Sequence, residues 1–188
     1  MQKFSGKDFW GISYLKNIKV TATVALFVAI SIVSGKFLAI SIGDTLRFSF
    51  ENLTIILSGI LFGPLVGCIT GIVADLIGCV LRGYTINPIL TLGAALIGFI
   101  SGALYHFLKN THISFSLAVS SFFAHLIGSV LIKSFGLSVF YSLPFVVTLI
   151  SRCINYAVVF TAEFIVLLIL MKNRGFTGLI NKIRGKNQ

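Results

Sequence analysis

The side chains able to do chemistry in this sequence are ionisable groups set among hydrocarbon. Asp75 lies inside L-V-G-C-I-T-G-I-V-A-D-L-I-G, and Arg152, Asn155 and Tyr156 lie inside the apolar run that follows Pro144. Two polar stretches flank these runs, S-I-G-D-T-L-R-F-S-F-E-N from Ser41 and R-G-Y-T-I-N-P from Arg82. An ionisable group at membrane depth is costly and marks a site by default. A carboxylate accepts paired donors from a flat heterocycle, arginines meet anions, and aromatic faces supply walls for stacking. The candidate ligand-binding residues are therefore Arg47, Phe48, Phe50, Asp75, Arg82, Tyr84, Asn87, Arg152, Asn155 and Tyr156. With only about 1.5 Å of rise per helical residue, Asp75 lies roughly 10 Å below Arg82 and Arg152 roughly 12 Å below Pro144, at similar depth. Arg152 and Asn155 then have two readings, contact with a ligand or a buried pair with Asp75 that holds two helices together.

The elements that position these residues follow from composition. Of 188 residues, 56% are hydrophobic and 11% charged, against about a quarter charged in soluble domains. Apolar runs recur at about twenty residues, the length that crosses a bilayer core. The expected fold is an all-α bundle of six transmembrane helices in one domain, with a structured outer loop between the first two. Residues 1–19 form a cytoplasmic, interfacial segment with lysines among aromatic residues, 20–171 the membrane domain, and 172–188 a basic cytoplasmic tail. The net charge of +10 does not point to nucleic acid, because the basic residues gather at the ends of the chain.

The expected helices are about Val20–Ile40, Asn52–Phe62, Leu65–Leu81, Pro88–Leu108, Ser114–Ile132 and Pro144–Met171, with Lys133–Leu143 as a third outer loop. All three prolines fall at segment starts, where a missing N–H costs nothing. Within L-R-F-S-F, alternation puts Leu46, Phe48 and Phe50 on one side of a short strand or hairpin and Arg47 and Ser49 on the other. Gly59, Gly63, Gly67 and Gly71 recur every fourth residue and read as close backbone packing of two short helices. Ala22, Ala25 and Ala29 share one side of the first helix, and Ala25-x-x-x-Ala29 is a small-residue pair open to internal packing or to docking of another helix.

Charge sets the orientation. One side carries Lys3, Lys7, Lys16, Lys19, Lys109, Lys172, Arg174, Lys182, Arg184 and Lys186, the other only Lys36, Arg47, Arg82 and Lys133. The positive-inside rule then puts both termini in the cytoplasm of a bacterial cell. Cys68, Cys79 and Cys153 lack metal or redox spacing and read as thiols packed as small hydrophobes. His125 reads as a hydrogen-bonded core histidine, and Glu163 as a helix or subunit contact with no evident partner. No cofactor is expected, and no phosphate-cradling G-x-x-x-x-G-K-[ST] occurs.

The stretches L-R-F-S-F-E-N-L, G-I-L-F-G-P-L-V-G, Asp75-L-I-G and Y-T-I-N-P-I-L-T-L-G-A-A-L-I-G together resemble the substrate-binding S components of energy-coupling factor vitamin transporters, in particular the folate-specific branch. The resemblance implies a six-helix protein that binds a vitamin near the outer face. It also implies docking on a transmembrane coupling subunit carried by two ATPase subunits, with toppling to release the vitamin inside. In that family an A-x-x-x-A motif docks the partner, which maps to Ala25 and Ala29. For folate, Asp75 would take the pterin head group, Phe48, Phe50, Tyr84 and Tyr156 the ring faces, and Arg47 and Arg82 the glutamate carboxylates. Thiamine and riboflavin are the competing ligands, and arginines at the mouth would repel the cationic thiazolium. A small intramembrane enzyme is the alternative of another class, but no H-E-x-x-H, paired Glu or Ser/His constellation supports it.

Overall fold

Proline starts the helices of this chain and glycine lets them touch. The computed structural model describes residues 9–36, 39–42, 46–108 and 110–185. A single turn, α1 (Ile12–Leu15), leads into α2 (Ile18–Lys36), and a short antiparallel hairpin follows, β1 (Ile40–Ile42) paired with β2 (Leu46–Phe48). Then come α3 (Glu51–Phe62), α4 (Pro64–Arg82), α5 (Pro88–Phe107) and α6 (Ile113–Ala124). A π-helical segment (His125–Ile132) joins α6 to α7 (Lys133–Tyr141), and α8 (Phe145–Lys172) and α9 (Arg174–Ile183) complete the order. Pro64 and Pro88 open α4 and α5, and Pro144 caps α8.

Among the described residues, five helices are long and apolar enough to cross a membrane, counting α6 through α7 as one continuous 29-residue span. The sixth, α3, has 12 residues and covers about 18 Å at 1.5 Å each, against a hydrocarbon core of about 30 Å. It is sunk in the bundle, with ten of its residues from Asn52 to Phe62 buried. The expected bundle and its structured outer loop are thus present. The register of the hairpin pairs Ile40 with Phe48, Ser41 with Arg47 and Ile42 with Leu46.

The glycine ladder makes backbone contact as expected, but chiefly with α5 and less between α3 and α4. A Cβ on Gly67 would overlap the Gly98 carbonyl, one on Gly71 the Ala94 carbonyl, and one on Gly59 the Gly98 carbonyl. Helix α5 is therefore the post against which α3 and α4 both lie. Gly63, at φ 106°, makes the turn between α3 and α4 that a side chain would strain.

Three boundaries differ from the expectation. Helix α2 stops at Lys36 instead of Ile40, because Ile40 is taken into the hairpin ladder. The stretch from Lys133 to Tyr141, expected as an outer loop, continues the fifth membrane helix. Its polar residues Lys133 and Ser134 are buried inside the bundle, so they do not end the helix as solvent-seeking groups would. The basic tail also carries order: α9 is amphipathic, capped by Asn173, and buries Ile180.

The first and last described segments pack at one end of the bundle. Asn17 Nδ2 donates to the Ile183 carbonyl at 3.1 Å, and the Arg184 guanidinium lies 5.8 Å from the ring centres of Tyr14 and Phe62. Leu65 N–H donates to the Trp10 carbonyl at 3.3 Å beneath the α3–α4 turn. The hairpin lies at the other end, beyond the first turns of α3.

Candidate functional site

A cavity of about 800 Å³ opens at the hairpin end, within the range of small-molecule sites. Six of the ten candidate residues line it: Asp75, Arg82 and Tyr84 from α4 and the turn after it, and Arg152, Asn155 and Tyr156 from α8. The two charge-bearing segments expected to meet in the bundle interior do meet there.

Asp75 is half-buried, and its Oδ2 accepts a hydrogen bond from Thr91 Oγ1 at 2.7 Å. Arg152 Nη1 donates to the Ser129 carbonyl at 3.2 Å. That carbonyl belongs to the π-helical segment, where the wide i→i+5 turn disturbs the usual ladder. The described hydrogen bonds of Asp75 and Arg152 thus go to other helices, not to each other. Arg82 Nη2 donates to the Gly35 carbonyl at 2.5 Å, on the last turn of α2, and its guanidinium lies 5.7 Å from the Tyr84 ring centre. It closes the mouth of the cavity on the α2 side. Tyr156 Oη accepts from Asn52 Nδ2 at 3.4 Å, and the Tyr156 ring lies 5.1 Å from that of His125.

The remaining four candidates stand elsewhere. Asn87 is 1% exposed and serves structure: its Oδ1 accepts from the Ile89 and Leu90 N–H groups, capping α5, while Nδ2 donates to the Gly136 carbonyl at 3.3 Å. Phe48 and Phe50 are not among the described lining residues, whereas Ser49 between them is. Ser49, expected on the polar side of this stretch, is its described residue that reaches the cavity. The Arg47 side chain lies outside the described residues; its backbone pairs with Ser41.

The structure adds two charged residues that the sequence reading left out of the site, Glu51 and Lys133. Glu51 begins α3, and its Oε1 lies 3.7 Å from Lys133 Nζ at the head of α7. Glu51 lay in the polar stretch before the second expected helix and Lys133 in an expected loop; only the fold brings them together. The cavity wall thus carries two carboxylates and three cations, Asp75 and Glu51 against Arg82, Lys133 and Arg152.

Behind the floor, Glu163 has a partner after all. Its Oε2 lies 2.6 Å from His125 Nε2, with the two side chains 0% and 3% exposed. The core histidine expected at 125 is hydrogen-bonded, and the partner that Glu163 lacked in the sequence is that histidine, one helix away. An intramembrane carboxylate without a visible partner was the signal that could have found it. Replacing Glu163 with Leu is expected to cost about 3–5 kcal/mol, as removal of one member of a buried pair does. Thermal unfolding in detergent measures the loss, and an unchanged midpoint would show that the pair contributes little.

A second, apolar groove of about 380 Å³ runs along the outside between α2 and α4. Ala25 and Ala29 line it together with Val24, Val28, Ile69 and Val73, and both alanines are exposed. Ala22 is exposed on the same helix but does not line the groove.

A bundle of membrane-length helices around a polar, mixed-charge cavity at one end defines a membrane-embedded small-molecule binding protein. The family model for the substrate-specific component of ECF transporters matches residues 19–179, and the chain belongs to that family. It is the substrate-binding component of a membrane transporter and not an enzyme. No curated protein matches the chain. Among solved structures, one titled as the crystal structure of FolT bound with folic acid matches with a TM-score of 0.64. That match has 24% identity and covers 88% of this chain and 94% of the other, a likeness of fold.

Proposed function

We propose that this chain captures folate at the outer face of a bacterial membrane and passes it to a transmembrane coupling subunit carried by two ATPase subunits. The observation that carries the reading is the charge order of the cavity. A carboxylate, Asp75, sits on the inner wall, and Arg82 sits near the mouth on the turn side of α4. Folate is a flat amino-pyrimidine with a dianionic glutamate tail, so a deep acceptor and outer cations suit its two ends. Tyr84 and Tyr156 line the space between and supply ring faces. Thiamine, a cation, finds Arg82, Lys133 and Arg152 on the same wall. Riboflavin offers no dianion to the arginines. The solved protein of like fold holding folic acid supports the same ligand.

Docking on the coupling subunit is supported by the exposed alanine groove, since small residues on a lipid-facing side let another helix approach closely. Asn17 and Ile183 pack together at the end away from the cavity, and the described cations Lys16, Lys19, Lys172, Arg174, Lys182 and Arg184 lie in the segments next to them, which supports cytoplasmic termini. Binding of folate, thiamine and riboflavin to the purified chain in detergent tests the ligand. Retention of folate alone is expected, and tight binding of either of the others in its place would overturn the reading.

A further inference from the structure

Lys133 is 7% exposed, and its stem crosses Gly93 of α5 so closely that a Cβ there would come within 2.8 Å of Lys133 Cγ. The missing side chain at Gly93 is what gives the lysine its path inward. A lysine ammonium carries three donors and needs acceptors for them. The described partner of this one is Glu51 Oε1 at 3.7 Å, outside hydrogen-bond reach. A buried ammonium with unfilled donors is costly unless another group completes its shell. Lys133 lines the main cavity and also a cleft of about 30 Å³ at its inner wall, which it shares with Asp75, Glu51 and Asn52.

A carboxylate and an ammonium on one cleft present acceptors beside donors. The edge of a 2-amino-4-oxopteridine presents the complement: an amino group, a ring N–H and a carbonyl oxygen in that order. We propose that Lys133 donates to the 4-oxo oxygen of the ring while Asp75 accepts from the neighbouring amino and ring N–H groups. Lys133 is then a residue that selects 4-oxo over 4-amino pteridines, beside Asp75. The inference rests on the folate reading above. In a 4-amino ring the carbonyl is replaced by an N–H donor, which would face the ammonium donor to donor, and the neighbouring ring nitrogen carries no hydrogen, so Asp75 loses one of its two donors as well. A site built to hydrogen-bond one group rejects an analogue that cannot supply it, because its own polar group is left unpaired.

The test measures dissociation constants of the full chain in detergent for folate and for its 4-amino analogue aminopterin. The wild type is expected to prefer folate by about tenfold or more, the worth of a hydrogen bond to a charged group. Lys133→Met keeps the buried stem and removes the donors; it should lose mainly folate affinity and narrow the ratio several-fold, the remainder being set by Asp75. A wild type that binds both ligands equally overturns the role of Lys133 without any variant, and so does a Lys133→Met protein whose ratio is as large as that of the wild type. A wild type that binds neither ligand removes the folate reading itself and this inference with it. A wild type that binds folate without discrimination removes only the inference.

Discussion

Ala25→Trp and Ala29→Trp are expected to abolish vitamin uptake by the assembled transporter while leaving ligand binding by the isolated chain unchanged. Both positions are exposed and line the apolar groove between α2 and α4. A tryptophan there would fill the space that a partner helix needs, since small residues are what let helices approach to backbone distance in lipid. The binding cavity is insulated from the change, because its described lining comes from the hairpin end of α3, from α4, α5, α7 and α8 and the turns beside them, with none from α2. Uptake into cells and binding in detergent are measured side by side. Equal loss of both would show that the alanines belong to internal packing, the second reading the sequence left open.

The other large effect is expected at Asp75. Asp75→Asn keeps the shape of the side chain and its bond from Thr91 but turns half of the acceptor into a donor. Folate and pteroate, which lacks the glutamate, should both weaken by about 1.5–3 kcal/mol, the range for hydrogen bonds to charged groups. Arg47→Ala should weaken folate far more than pteroate, because it removes a cation from the outer hairpin and leaves the ring site alone. Competition binding of the two ligands separates these outcomes. If Asp75→Asn spares pteroate, the carboxylate does not hold the ring; if Arg47→Ala weakens both ligands equally, the tail does not lie at the hairpin. Arg152→Ala is informative in the same assay, since its bond to the Ser129 carbonyl ties the cavity wall to the π-helical segment.

Much of this architecture can be read along the chain because hydrocarbon length, proline and glycine act locally. Pro64, Pro88 and Pro144 stand at the helix starts where their missing N–H predicts, and the ladder from Gly59 to Gly71 marks the helices that touch. Asp75, Arg152, Asn155 and Tyr156 were legible as candidates that share a cavity wall, because isolated polar groups in apolar runs have few other uses. Lys133 was not legible. A cation followed by Ser134 and Gly136 has the composition of a loop, and the helix persists there because Glu51, from the first turn of α3, and Gly93, from the middle of α5, accommodate the side chain. The pairing of His125 with Glu163 is likewise a tertiary fact, set by two helices that no local pattern aligns. Asn87, expected beside the ligand, has its described hydrogen bonds in capping α5 and holding the Gly136 carbonyl, a tertiary use that no local pattern announces.

The π-helical segment from His125 to Ile132 acts on everything after it as a phase shift. An α-helix turns about 100° per residue, so the residue taken up by a widened turn rotates the remainder of the helix by that amount relative to the part before it. His125 keeps α6 in phase with Glu163 on α8, while Lys133 and Gly136, about two and three turns later, face α5 and the cavity. Loss of a single residue within the segment would leave the helix almost as long and as apolar, yet carry Lys133 round toward a different neighbour. In this helix, binding chemistry and membrane span are set by separate variables, and the length of one turn decides which side chains the ligand meets.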